Sequence, residues 1–342
     1  MKHYDVVITG AGPAGLMCAE SLSTSDLSVL LLEKNDAFGR KVCAGGLTRK
    51  DMALLDVPDE IIEYKVNKTA VVSRKGRSGA DAPEPFLFTV NRVALGTWHK
   101  KRLEKTKTEI RINTKVTYVD DKKIIVNGEE EIGYKYLVGA DGFFSVVRKY
   151  LGLPQEKKLT GIQYIIPAED VDPRLFIYLD SKRFHAWYGW KFPHQGSYVV
   201  GCCADPKIVP PPRLKENFKL WLRENDIDVS NAEYQAYPIS YDYRGYKFGN
   251  IFLAGEAAGL ASGFTGEGIY QSLVSGQTVA RTILDENYAS EEMEAVLKYN
   301  RIQERILNFL VRSGPLKGLA HELIVGLLNN KRVKARIHRS FS

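Results

Sequence analysis

Gly10, Gly12 and Gly15 stand in G-x-G-x-x-G spacing, and Glu33 follows about 20 residues behind them. Glycines in this pattern do phosphate chemistry through what they lack. The first permits a tight turn, the second lets a pyrophosphate approach the backbone, and the third lets a helix pack closely on a strand. Glu33 can accept hydrogen bonds from an adenosine ribose, and its charge disfavours a 2′-phosphate. These residues specify an ADP-containing dinucleotide without choosing between FAD and NAD.

The elements needed to position them are present. Val6, Val7 and Ile8 form a β-branched run suited to a buried parallel strand, and an apolar-periodic helix begins at about Pro13. Its N-terminus offers free N–H groups and a positive dipole end. A second strand, Leu27 to Leu32, ends on Glu33. Two later turns repeat the theme. Tyr136 to Val138 reads as a strand entering Gly139-Ala140-Asp141-Gly142, with Ser145 and Arg148 on the helix behind it. Ile251 to Ala254 enters Gly255-Glu256, and Gly263, Gly266 and Gly268 precede a long small-residue helix. Three separated segments thus converge on one site, and that convergence chooses FAD. No second fingerprint exists for a nicotinamide domain, so electrons are expected from NAD(P)H without one, or from a separate donor protein.

The whole chain bounds the reading. Its 342 residues can bury a large core, with two domains as the default. Met1-Lys2-His3 leads straight into the first strand and no run reaches the roughly 18 apolar residues of a membrane span, so neither a signal peptide nor a spanning helix is expected. Cys18, Cys43, Cys202 and Cys203 lack metal or disulfide spacing, which makes a reducing cytosol the simplest home and leaves no metal site. The net charge of +7 is mild and no nucleic-acid motif accompanies it. The expected architecture is α/β: a discontinuous FAD-binding Rossmann-like domain over 1–65, 91–157 and 245–285. Residues 66–90 and 158–244 are expected to form an inserted antiparallel β-sheet substrate domain. Residues 286–342 form a C-terminal helical region with a basic tail.

With these segments, the chain resembles the geranylgeranyl reductase family of flavoproteins, within the fold shared with p-hydroxybenzoate hydroxylase. The most specific element is Tyr188-Gly189-Trp190-Lys191-Phe192-Pro193, matching the family's Y-x-W-x-F-P motif. Lys41-Val42-Cys43-Ala44-Gly45-Gly46 is similar to its cysteine-glycine loop beside the flavin, and Arg92 matches a flavin-contacting arginine. The resemblance implies reduction of isolated double bonds in isoprenoid chains. The cofactor-binding set becomes Gly10, Gly12, Pro13, Ala14 and Gly15; Glu33, Lys34, Arg40, Ala44 and Gly45; Arg92, Asp141 and Gly142; and Gly255, Glu256, Gly266, Gly268 and Ile269. Two positions depart from the pattern: Glu256 replaces the usual aspartate, and Gly96 stands where relatives have an acidic residue.

Alkene reduction needs a hydride on one carbon and a proton on the other, within a dry pocket. Cys43 is the catalytic candidate, as proton donor or as a wall of the pocket. Tyr188, Trp190 and Phe192 are the substrate candidates, since alternate strand residues share a face and aromatic walls suit a prenyl chain. His185 and His194 have no carboxylate at useful spacing and read as structural or exposed. Leu316, Leu319, Ala320, Leu323, Ile324, Leu327 and Leu328 recur at helical spacing, and the basic run Lys331 to Arg339 follows. That combination suggests peripheral contact with an anionic membrane, against a helix packed on the body with a solvated tail. The rival readings are a flavin monooxygenase or halogenase, and a non-catalytic flavoprotein that binds a prenyl lipid.

Overall fold

The computed structural model describes residues 1–328. Its helices are α1 (Pro13–Leu22), α2 (Arg49–Leu55), α3 (Arg92–Leu103), α4 (Val146–Tyr150), α5 (Ser181–Phe184), α6 (Pro211–Glu224), α7 (Ile269–Leu284), α8 (Glu291–Arg312) and α9 (Lys317–Leu328). Val6, Val7 and Ile8 are fully buried, each side chain contributing about 1.5–3 kcal/mol by leaving water. Their strand, Lys2–Thr9, sits in the interior of an eight-stranded sheet, between Val29–Leu32 and Glu130–Gly139. Beyond Glu130–Gly139 lies Ile251–Leu253, also parallel.

Register explains why three distant turns meet. Thr9 pairs with Gly139, and Gly139 pairs with Leu253. The chain therefore leaves adjacent strands at one level, bringing Gly10, Asp141 and Gly255 together at their C-terminal ends, where open α/β sheets bind ligands. The stretch from Glu109 divides between two jobs: Glu109–Arg111 extends the parallel sheet, while Val116–Val119 and Lys123–Val126 form an antiparallel addition to it.

A seven-stranded sheet follows the order Glu233–Ser240, Lys158–Pro167, Ser197–Ala204, Gly189–His194, Leu175–Leu179, Lys68–Ser73 and Arg77–Asp81. Residues 66–90 thus contribute two strands here, but Leu87–Val90 joins Gly46–Thr48 and Ile62–Val66 in a separate three-stranded sheet. One face of the large sheet packs Tyr164 and Cys202 on Phe218 and Trp221 of α6. The other face carries the row Gln163, Gly201, Trp190, which are register partners. Gly201 has to be glycine, because a β-carbon there would lie 2.5 Å from the Trp190 ring.

At the C-terminus, α9 turns His321 and Val325 inward. Glu322 fixes it by accepting from the Ser73 hydroxyl (2.6 Å) and the Lys75 N–H (3.2 Å). Leu316, Leu319, Leu323 and Leu327 point outward, each 57–65 % exposed. Ile302, Ile306 and Phe309 of α8 are exposed as well. No helix among the described residues is long and apolar enough to cross a membrane. The basic run Lys331 to Arg339 lies outside the described residues.

Candidate active site

The first glycine turn is built by close contact. Gly10 adopts φ +94°, and a β-carbon on Gly15 would stand 1.9 Å from the Gly10 carbonyl oxygen. Gly12 differs: nothing lies within 4 Å of where its β-carbon would be. That open space faces the start of α1, whose first N–H groups have no intrahelical acceptor. Ala14 is pinned from behind by Gly276 of α7, where a β-carbon would meet the Ala14 carbonyl at 2.2 Å. Glu33 is buried and braces the turn, its Oε2 accepting from the Ala11 N–H at 2.9 Å and its Oε1 from the Asn35 N–H at 2.9 Å. A carboxylate has about four lone-pair positions, so acceptor capacity remains for a ribose hydroxyl.

Arg92, Ala11, Pro13, Gly39 and Ile269 line one cleft. The Arg92 Nε and Nη1 are buried without a hydrogen-bond partner among the described residues, and so is Asp141 Oδ1. The other oxygen of Asp141 caps α4 by accepting from the Val146 N–H at 2.8 Å. Burial pushes the Asp141 carboxyl above the ordinary carboxylate range. Gly39 and Gly96 let the loop approach α3: a β-carbon on Gly39 would lie 2.0 Å from the Arg92 carbonyl, and one on Gly96 2.8 Å from Phe38. The absence of an acidic side chain at position 96 is therefore steric.

An open glycine at a helix N-terminus, a guanidinium with two buried, unpartnered nitrogens and an unpartnered carboxylate oxygen fit a dinucleotide with an anionic pyrophosphate. Gly12, Ala14 and Arg92 would hold its phosphates, Pro13 presetting the helix start without donating, and Asp141 and Gly142 would hold its neighbouring sugar alcohol. Glu256 is deployed differently. One oxygen accepts from the Ser240 N–H at 3.1 Å, and the other is ion-paired with Lys41. The extra methylene thus joins the glycine-rich loop to the second sheet. Lys34 and Arg40 are exposed, and Arg40 pairs with Asp36 at 3.0 Å. Gly255, Gly266 and Gly268 shape the approach to α7, the first two at φ +60° and +71°.

Cys43 is half-buried, its sulfur 3.4 Å from the Gly45 N–H, and its carbonyl accepts from Gln163 Nε2 at 3.3 Å. Cys18, Cys202 and Cys203 are buried, and burial pushes the Cys203 thiol up to about 12. Tyr188 precedes its strand rather than lying in it, but its ring still stands 6.2 Å from that of Trp190. The Tyr188 hydroxyl donates to the Thr265 carbonyl, and Trp187 Nε1 donates to that of Gly263 at 2.8 Å. The aromatic motif therefore grips the loop that opens α7. Phe192 packs against Gly46.

Two residues escape sequence reasoning. Glu267 stands in this same loop, and burial, then the nearby Asp51 carboxylate, raises its pKa. Its Oε2 accepts from the Tyr299 hydroxyl at 3.4 Å. Its position between Gly266 and Gly268 was the available signal. His194, read as having no carboxylate partner, meets Glu63 at 2.5 Å. The two are 131 residues apart in sequence, and only the meeting of two sheets joins them.

Comparison with known proteins agrees with this geometry. Residues 3–299 match the family described as "FAD binding domain". The chain is 28% identical over 317 residues to a geranylgeranyl diphosphate reductase of Rhodobacter capsulatus, covering 86% of this chain and 76% of that one. It is 25% identical over 369 residues to a digeranylgeranylglycerophospholipid reductase of Methanococcus vannielii, covering 98% and 90%. In fold it is similar to a geranylgeranyl bacteriochlorophyll reductase-like protein of Thermoplasma acidophilum, with a TM-score of 0.81 at 21% identity over 98% of this chain and 96% of that one.

Proposed function

The chain belongs to the FAD binding domain family, and from that premise we propose that it reduces carbon–carbon double bonds of a long isoprenoid chain. It is a FAD-dependent oxidoreductase of geranylgeranyl reductase type. The observation that carries the substrate class is the aromatic run Tyr188, Trp190 and Phe192, whose Phe192 packs on Gly46 while Gln163, on the same sheet face as Trp190, reaches the Cys43 carbonyl. Aromatic walls exclude water and grip an apolar chain without requiring polar groups on it. Bound FAD, once reduced, supplies the hydride equivalent. The protein's part is to hold the alkene still, keep water away and furnish a proton, for which Cys43 is the candidate at the loop. Electrons come from NAD(P)H or a donor protein.

The substrate would be drawn from a membrane. Seven exposed apolar side chains on α8, α9 and the turn between them (Ile302, Ile306, Phe309, Leu316, Leu319, Leu323 and Leu327) support this, with Arg301, Arg305 and Arg312 exposed beside them. Apolar side chains flanked by bases suit an anionic interface. Two experiments test the proposal. Dithionite-reduced protein incubated with a geranylgeranyl lipid should raise its mass by one hydrogen pair per bond reduced. An unchanged lipid with substrate-dependent oxygen consumption would transfer the chain to the monooxygenase class. Flotation with anionic liposomes should fall when Leu319 and Leu323 become serine, and equal flotation would remove the membrane contact.

A further inference from the structure

The loop that carries Cys43 is held by a side-chain clamp. His194 ends the strand Gly189–His194 and is 7 % exposed. Its Nδ1 lies 2.5 Å from Glu63 Oε2, and its Nε2 lies 2.9 Å from the Ala44 carbonyl oxygen. Both neighbours carry acceptor oxygens, so the ring is gripped at both nitrogens, between the Glu63 carboxyl and the Ala44 carbonyl. The fit is close, since a β-carbon on Gly45 would stand 2.7 Å from His194 Cε1. The adjoining attachments are weaker or more remote: Gln163 reaches the Cys43 carbonyl at 3.3 Å, and the Val90 N–H meets the Gly45 carbonyl at 2.9 Å. Glu63, on Ile62–Val66, is the charged group facing the ring, and the loop it holds carries Cys43 beside Lys41, which is ion-paired with Glu256.

We propose that His194, oriented by Glu63, is a positioning residue that fixes the Ala44 carbonyl and thereby the direction of the Cys43 thiol. It acts through the loop and does not meet the reacting atoms. A carboxyl group hydrogen-bonded behind an imidazole fixes the ring's orientation, so the nitrogen facing the loop stays aimed at the Ala44 carbonyl. Three chain segments are thereby linked: the second sheet, the three-stranded sheet and the glycine-rich loop.

The two ring nitrogens can be tested separately. In His194→Asn the side-chain amide replaces the Nδ1 contact and leaves Ala44 without one; in His194→Gln it replaces the Nε2 contact and leaves Glu63 without one. The first readout is alkylation of the FAD-loaded protein by iodoacetamide, followed by intact mass. Cys18, Cys202 and Cys203 are buried, so a folded protein gains one adduct and an unfolded one gains four. His194→Asn is expected to be alkylated about fivefold faster than the parent, and His194→Gln at nearly the parent rate. The second readout rests on the proposed function: kcat for prenyl reduction should fall about tenfold in His194→Asn with KM little changed, and recover in His194→Gln. Equal alkylation of Asn variant and parent, or a Gln variant as fast as the Asn variant, overturns the clamp. If the parent reduces no prenyl lipid while the alkylation order holds, the clamp stands and the proposed function fails.

Discussion

At the outer edge of the parallel sheet, Glu109 accepts from Lys2 Nζ at 2.7 Å, the Tyr4 hydroxyl at 2.6 Å and Arg111 Nε at 2.8 Å. Burial opposes ionisation there, but these donors prevail and hold the carboxyl down at about 2. Around the three turns, Asp141, Asp51 and Glu267 go the other way, each raised first by burial. Asp141 and Asp51 each keep one buried oxygen without a partner among the described residues, and Arg92 keeps two such nitrogens. One region uses its charges to hold the fold together. The other holds charges that destabilise the fold until a ligand meets them, which is the usual cost of a preformed polar site.

Within the second region the comparison sharpens at two neighbouring glycines, where the largest effect is expected. Gly15→Val drives its side chain into the Gly10 carbonyl, 1.9 Å from the β-carbon, and should cost about 4 kcal/mol or more in urea unfolding of FAD-free protein. Gly12→Val meets open space, so the FAD-free unfolding midpoint should stay put while flavin is lost on gel filtration. Two variants with equal unfolding midpoints would show that the turn is not set by packing.

Arg92→Ala comes next. It removes a half-buried cation whose Nε and Nη1 lack hydrogen-bond partners and whose charge acts on Asp51, so the unfolding midpoint of FAD-free protein should move little. Its FAD dissociation constant, from quenching of flavin fluorescence, should rise about 30-fold, near 2 kcal/mol for a lost charge-assisted contact. A parent-like constant would move Arg92 out of the cofactor site.

These two regions were unequally legible in the sequence. Gly10, Gly12 and Gly15 could be read because a glycine's role in a turn is local, and the spacing alone fixes strand, turn and helix. Asp141 and Gly255 could be placed beside them because each follows a buried strand. Arg92 was assigned to the cofactor only through family resemblance, since nothing local distinguishes it from any arginine at a helix start. His194 and Glu63 were missed, as was the Glu109 cluster, because partners 131 and 107 residues apart meet only through sheet geometry. Arg40 was assigned to the cofactor from its loop, and it stands exposed beside Asp36, four residues away.

Glu267 tests the sign of the second region. Its folded pKa is raised, so the folded state holds its proton longer than the unfolded state does. The carboxyl therefore destabilises progressively as pH rises past its unfolded value, about 4.3, towards its folded one. Glu267→Gln should be indistinguishable from the parent at pH 4 and more stable by about 1 kcal/mol at pH 8, measured in urea on FAD-free protein. A gain independent of pH would mean that the charge is not the cause.

Glu109 must show the opposite sign and the smallest effect. Its folded pKa, about 2, lies below the unfolded value, so its stabilisation is fully present above about pH 4.3 and is lost as pH falls through the folded value. The size of the shift overstates the energy, because the Glu109 side chain is 37 % exposed and Lys2 is 56 % exposed. Solvent screening reduces such a cluster to about 0.5–1 kcal/mol. Glu109→Gln should lose about that much at pH 7, and the difference should shrink as the pH is lowered towards 2. Salt separates this from a packing defect: 1 M NaCl shortens the screening length to about 3 Å and should erase most of the difference at pH 7. A loss that persists in salt and at low pH would mean that Glu109 acts through its hydrogen-bond geometry alone, and the electrostatic contrast between the two regions would fail at its outer edge.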